Sequence, residues 1–153
     1  RRYRGFRRKG SRMTIVIPHN EACGASRNVL AMIRAAGQEP VVIDYLATGW
    51  TRPQLLALFA AAGLTPRTAL RAARSPAAEL GLLAEGVTEE EILDAMLRHP
   101  VLVNRPIVAS PKGVRLCRPS ELVLDLLDRL PPGPLFKEDG QMIVDADGNR
   151  VAP

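Results

Sequence analysis

The stretch M-T-I-V-I-P-H-N-E-A-C-G-A-S-R-N-V-L-A-M-I-R at positions 13–34 carries the reading from which the fold follows. Residues 13–17 are apolar and rich in β-branched side chains, which predicts a buried strand. Pro18, His19, Asn20 and Glu21 do not favour its continuation. After Cys23, the residues Val29, Leu30, Met32 and Ile33 recur at helical spacing, and Gly37 stops that helix. A second apolar run at 41–46 predicts another strand. Strand, helix and strand in this order form a βαβ unit with a right-handed crossover.

Working outward, Thr51 is a helix N-cap with Pro53 in the first turn, and Gly63 closes that helix. A short helix is expected over 66–73. Thr88 and Glu91 form a capping box ahead of Ile92, Met96 and Leu97, with His99-Pro100 as the stop. Strands at 107–109 and 114–117 flank Pro111-Lys112-Gly113 and predict a hairpin. An amphipathic helix is expected over 120–130, before Pro131-Pro132-Gly133-Pro134. Asp-Gly pairs at 139–140 and 147–148 leave the last segment open between a small hairpin and a loose tail. The order βαβ, helices, ββα matches an α/β, thioredoxin-like fold: a mixed four-stranded sheet with a helical insertion between its βαβ and ββα halves.

The 153 residues, 46% hydrophobic and 24% charged, suit one domain, placed at 13–153. The net charge of +5 is misleading, because residues 1–12 hold seven of the 21 Lys/Arg and no acid. The remainder has 14 basic against 16 acidic residues, a net of −2. Residues 1–12 are read as a basic, disordered extension ahead of a natural start at Met13, with no apolar core for a secretory signal. No nucleic-acid partner is expected. No apolar stretch approaches the ~20 residues of a membrane span. Two cysteines in unlike contexts imply no disulfide framework and fit a reducing cytoplasm.

Cys23 stands between a strand end and a helix start, where first-turn N–H groups and the helix dipole favour an anion. His19 and Arg27 lie four residues to either side. All three influences favour the thiolate, the reactive form. The alternative is a small buried hydrophobe. Cys23-Gly24-Ala25-Ser26 has serine where a dithiol oxidoreductase has its resolving cysteine, so electrons must come from an outside thiol. The first arginine after Cys23 completes Cys-x3-Arg, which excludes the Cys-x5-Arg loop of phosphatase-like enzymes. Arg71 on the insertion, with Arg105 and Arg118 in two Arg-Pro pairs at strand ends, are candidates for bidentate oxyanion binding. Cys117 reads as structural.

The segment His19-Asn20-Glu21-Ala22-Cys23-Gly24-Ala25-Ser26-Arg27-Asn28 strongly resembles the active-site loop of glutaredoxin-linked arsenate reductases of the ArsC type. So do the segments 100–108 and 115–121, and the likeness runs over about residues 13–150. The resemblance implies that Cys23 attacks arsenic and forms a thiol-arsenate adduct. It implies that Arg71, Arg105 and Arg118 bind the arsenic oxyanion, with Gly24 and Ser26 completing the substrate site, and that His19 helps to keep the thiolate. Glutathione would act as co-substrate, glutaredoxin would supply the second reducing equivalent, and arsenite would leave. A monomer with no tightly bound cofactor or metal is expected. The resemblance also places a cis-proline, Pro106, beside the cysteine. The chain departs from the family in having Glu21 where proline is usual and Pro18 where an aromatic residue is usual. The alternatives are a related glutathione-dependent thiol reductase and a non-enzymatic transcriptional regulator of the Spx type, which shares the fold. Ser26 and the arginine set weigh against the regulator.

Overall fold

The computed structural model describes residues 13–152, so the extension expected at 1–12 lies outside the described residues. Strand β1 (Val16–Pro18) leads through a loop into α1 (Gly24–Ala35), and β2 (Val41–Ile43) returns parallel to β1. Helices α2 (Tyr45–Thr48), α3 (Arg52–Ala62) and α4 (Glu89–Arg98) follow, then β3 (Ile107–Ser110) and β4 (Gly113–Leu116). The sheet order is β2-β1-β3-β4, with β3 antiparallel to both β1 and β4. This is the thioredoxin-like mixed sheet expected from the sequence, with the helical insertion between its halves. Strands β5 (Leu135–Phe136) and β6 (Met142–Val144) close the chain as a separate small hairpin.

Period-two alternation sorts the sheet residues between two cores. Ile15, Ile17 and Val108 face Val29, Met32 and Ile33 of α1, together with Val123, Leu124, Leu126 and Leu127. Ile107, on the other face, packs among Leu55 and Phe59 of α3 and Ile92, Leu93 and Met96 of α4. Helix α1 is therefore clamped against the sheet by a fully buried stripe, which fixes where its N-terminus, and Cys23 with it, must lie.

The helix ends follow local chemistry. Thr51 accepts from the Gln54 N–H and Thr88 from the Glu91 N–H, and in each case the third residue's side chain returns to the cap N–H. Gly63 stops α3 in the left-handed conformation at φ 71°.

Four expectations are corrected. Pro18 does not lie beyond β1 but ends it, in register with Ile43. The strand expected at 41–46 stops at Ile43, because the Asp44 side chain accepts the Ala47 N–H and starts α2, turning Tyr45 into the interior. No helix forms over 66–73. There the Thr65 and Thr68 side chains close a turn, and Leu70 forms an isolated antiparallel bridge with Val103. The segment expected as an α-helix over 120–130 is a 3-10 helix, Ser120–Leu126. Its buried pairs Val123/Leu126 and Leu124/Leu127 recur every three residues, the spacing that stacks side chains in 3-10 geometry.

The C-terminal hairpin is pinned by ion pairs: Lys137 to Glu121 at 2.6 Å, Arg27 to Glu138 at 2.8 Å and Arg150 to Asp125 at 2.6 Å. Gly133 lets the chain pass directly against β6. A Cβ there would stand 1.6 Å from the Asp145 carbonyl oxygen. Gly133→Ala should therefore lower stability by about 1–3 kcal/mol, the usual cost of overpacking, read as the urea midpoint. An unchanged midpoint would show that the 131–134 segment can shift freely.

Candidate active site

Cys23 is the N-cap of α1, with extended backbone at φ −99° and ψ 121°. The preceding loop is built by Asn20. Its side-chain oxygen accepts the Ala22 N–H at 3.0 Å, and its carbonyl accepts the Cys23 N–H at 2.9 Å. That turn places the thiol at the N-terminus of the helix, where the Ser26 and Ala25 N–H groups favour its anion.

The arginines arrive by two routes. The β3–β4 register pairs Ile107 with Leu116, and the ladder continues outward with the Cys117 N–H donating to the Pro106 carbonyl at 2.8 Å. Arg105 and Arg118 therefore stand side by side at the open end of the hairpin. Arg118 Nη1 donates to the Arg105 carbonyl at 3.0 Å. The Arg105-Pro106 bond is cis, as expected, and so is Arg118-Pro119. Arg71 comes from the insertion. The Leu70–Val103 bridge holds it there, the Arg71 N–H donating to the Leu102 carbonyl at 2.8 Å. Arg71 therefore extends from a bridged, non-helical segment.

These residues line one cavity of about 500 Å³ with Asn20, Ala22, Cys23, Gly24, Ala25, Arg74 and Val101. Among the described residues, its walls carry four arginines and no carboxylate. Arg105 is only 6% exposed, and its Nε and Nη1 atoms are buried without a hydrogen-bond partner. A buried guanidinium is costly unless an anion faces it. Burial of Cys23 raises its thiol pKa, but the Ser26 N–H, the charge and N–H groups of Arg105, and the Ala25 N–H together outweigh burial. The net effect holds the pKa below the ordinary thiol value. Cys117 shows the opposite case. Fully buried beside the core, its thiol is pushed up to about 12 by desolvation.

Not every expected residue reaches the cavity. His19 is buried behind the loop, its N–H donating to the Ile43 carbonyl at 2.8 Å and its Nε2 to the exposed Glu21 carboxylate at 2.7 Å. It lines a different depression, with Val42, Asp44 and Leu46. Glu21 thus points to solvent and to His19 rather than at the sulfur. Arg27 is committed to Glu138 through two N–H groups and to the Glu21 carbonyl. The Ser26 side chain is fully buried on the inner face of α1, so that residue acts on the thiol through its backbone N–H. Gly24 does line the cavity.

Sequence reasoning overlooked Arg74 and Tyr45. Arg74 has φ 55°, the left-handed conformation that only a few per cent of non-glycine residues adopt, and its carbonyl accepts from Arg71 Nε at 3.4 Å. Its spacing in A-L-R-A-A-R, three residues after Arg71, was the available signal. Tyr45 is buried and stacked on Trp50 with ring centroids 5.2 Å apart. Burial pushes its phenol up, and the charge of Arg105 opposes that shift. Among the described residues, no group of His, Cys, Asp and Glu is arranged to hold a metal ion, and no helix is long and apolar enough to cross a membrane.

The chain as a whole has relatives. The profile of the ArsC family matches residues 19–126. An arsenate reductase of Synechocystis sp. is 68% identical over 137 residues, covering 90% of this chain and 98% of that protein. An Escherichia coli arsenate reductase is 50% identical over 137 residues, covering 90% and 97%. The structure of an arsenate reductase from Vibrio cholerae superposes with a TM-score of 0.72 at 36% identity, covering 76% of this chain and 100% of that one. The matched region spans Cys23, Arg71, Arg105 and Arg118, and the chain belongs to the ArsC family.

Proposed function

We propose that this protein is an arsenate reductase in which Cys23 is the nucleophile, with glutathione and glutaredoxin as electron donors. One observation carries the reading: a cysteine thiol held toward its anion in a cavity walled, among the described residues, by four arginines and no acid. The names of the relatives support the substrate.

Arsenate near neutral pH is a tetrahedral dianion, so it repels a bare thiolate. Arginine forks remove that obstacle by binding oxyanion oxygens in pairs while the N–H groups of Ser26 and Ala25 favour the thiolate. The Cys23 thiolate attacks arsenic, an arsenic–oxygen bond breaks, and the oxygen leaves protonated as water. The sulfur of glutathione then adds to the same arsenic, displacing a second oxygen as water. Glutaredoxin thiolate attacks the glutathione sulfur. The sulfur–arsenic bond breaks and its electron pair stays on arsenic, which passes from the +5 to the +3 state. The two sulfurs leave as a mixed disulfide. Water finally displaces arsenite from Cys23 and restores the thiol. Ser26 in place of a second cysteine is the reason the disulfide forms outside this chain. The reading includes a cytoplasmic monomer with no resident cofactor, consistent with two free cysteines.

The thiols give the first test. Native protein treated with iodoacetamide should be alkylated at Cys23, with a midpoint on the acid side of the free-thiol value of about 8.5, while Cys117 stays unmodified. The sign follows from the shifts. A depressed folded pKa means that the stability from ionised Cys23 is lost as pH falls through that value. Cys117 is raised, so its contribution is full below the unfolded value and lost as pH climbs toward about 12. Preferential alkylation of Cys117 would reverse the assignment.

The second test is turnover. Arsenate-dependent NADPH oxidation, coupled through glutathione, glutaredoxin and glutathione reductase, should vanish in Cys23→Ser and persist in Cys117→Ser. Arg105→Lys keeps the charge but loses the fork, and should reduce kcat/KM by about tenfold or more. Full activity in Cys23→Ser would sink the proposal.

A further inference from the structure

A second cleft of about 410 Å³ adjoins the Cys23 cavity, lined by Arg71, Ala72, Ala73, Arg74, Asn104 and Arg118. Arg71, Arg74 and Arg118 also line the Cys23 cavity, so the two spaces share a cationic wall. We infer that this three-arginine cleft binds the carboxylate groups of the small thiol that attacks the arsenic adduct, with Arg74 as its specificity-determining residue. The inference rests on the reading that glutathione is that thiol.

The chemistry selects the ligand class. Among the described residues, none of the three arginines has a carboxylate partner, whereas Arg27, Arg34, Arg52, Arg115 and Arg150 all do. A thiol that bears carboxylates can place its sulfur at the arsenic and its anionic ends in the neighbouring cleft. Glutathione carries two carboxylates, and arginine forks match them. The volume lies within the range of small-ligand sites, about 300–1,000 Å³.

A competing cleft runs along Gly24, Ala25, Asn28, Arg118 and Ser120. It shares Arg118 with the arginine side but also contains Asp139 and Glu138, the latter paired with Arg27, and its lysine, Lys137, is already paired with Glu121. Three arginines without acidic neighbours suit a carboxylate-bearing thiol better than one arginine beside Asp139 and Glu138. The left-handed turn at Arg74 gives that residue its place in both walls. The turn is tied by Ser75 Oγ donating to the Arg71 carbonyl at 2.5 Å and accepting the Ala77 N–H at 3.2 Å.

The test has two arms. The first is binding of S-methylglutathione, which has the carboxylates but no free thiol, to the whole protein by calorimetry without arsenate. Arg74→Ala should weaken it about five- to tenfold, and Arg74→Lys should recover part of the loss. The second is the ratio of kcat/KM for glutathione to that for glutathione diethyl ester, which should fall by about the same factor in Arg74→Ala. Arg74→Gln serves if the alanine variant fails to fold. Equal slowing with both donors, or unchanged S-methylglutathione binding, overturns the inference. Normal arsenate reduction with an unmoved ratio removes the cleft and leaves the donor reading intact. Arg74-dependent binding in a protein that reduces arsenate with no small thiol does the reverse.

Discussion

The charge of Arg105, held almost out of contact with water beside the Cys23 sulfur, sets the terms for the rest of the molecule. A guanidinium in that position costs several kcal/mol unless an anion compensates it. Among the described residues no carboxylate lines the cavity, so the compensating anion is the thiolate itself and, in turn, the oxyanion it attacks. Each major element contributes to this arrangement. Helix α1, buried along Val29, Met32 and Ile33, fixes the sulfur end. The β3–β4 hairpin fixes the guanidinium end, and the Leu70–Val103 bridge ties the insertion to it.

The same arrangement separates recognition from chemistry. The forks read a tetrahedral anion and hold it near a nucleophile that burial alone would have kept protonated. Cys117, just after β4, shows burial prevailing: desolvation pushes its thiol up to about 12 although the charge of Arg115 opposes the shift. Two cysteines in one small protein thus differ in reactivity because one faces arginines and helix N–H groups and the other faces the core.

Much of this was legible in the chain, for reasons that can be named. The βαβ unit, both capping boxes and the hairpin depend on neighbours in sequence, so periodicity and cap residues located them. Cys23, Arg105 and Arg118 were legible because they flank strands whose ends are set by local pattern. What failed depends on distant contacts. The segment 66–73 has helical composition, but Leu70 is drawn to Val103 across the insertion. The helix expected at 120–130 is tightened into 3-10 form where its apolar pairs pack on α1 and Val108. Arg74 was overlooked because its direction follows from a positive φ that no residue type announces. His19, expected from its place four residues before Cys23 to help keep the thiolate, does not line the Cys23 cavity. Four residues bring side chains together on a helix, and this segment is a loop that turns His19 toward β2 and Glu21.

The hairpin register has an evolutionary consequence. Arg105 and Arg118 meet because the strands are paired from Ser110 and Gly113 outward, across a two-residue turn at Pro111-Lys112. Surface turns are ordinarily where insertions and deletions accumulate harmlessly. Here a single added or lost residue would slip the ladder by one and send alternate side chains to the opposite face of the sheet. Arg118 would then leave Arg105 even though neither had been altered. The length of this distant turn therefore bears on the site as directly as the arginines themselves do.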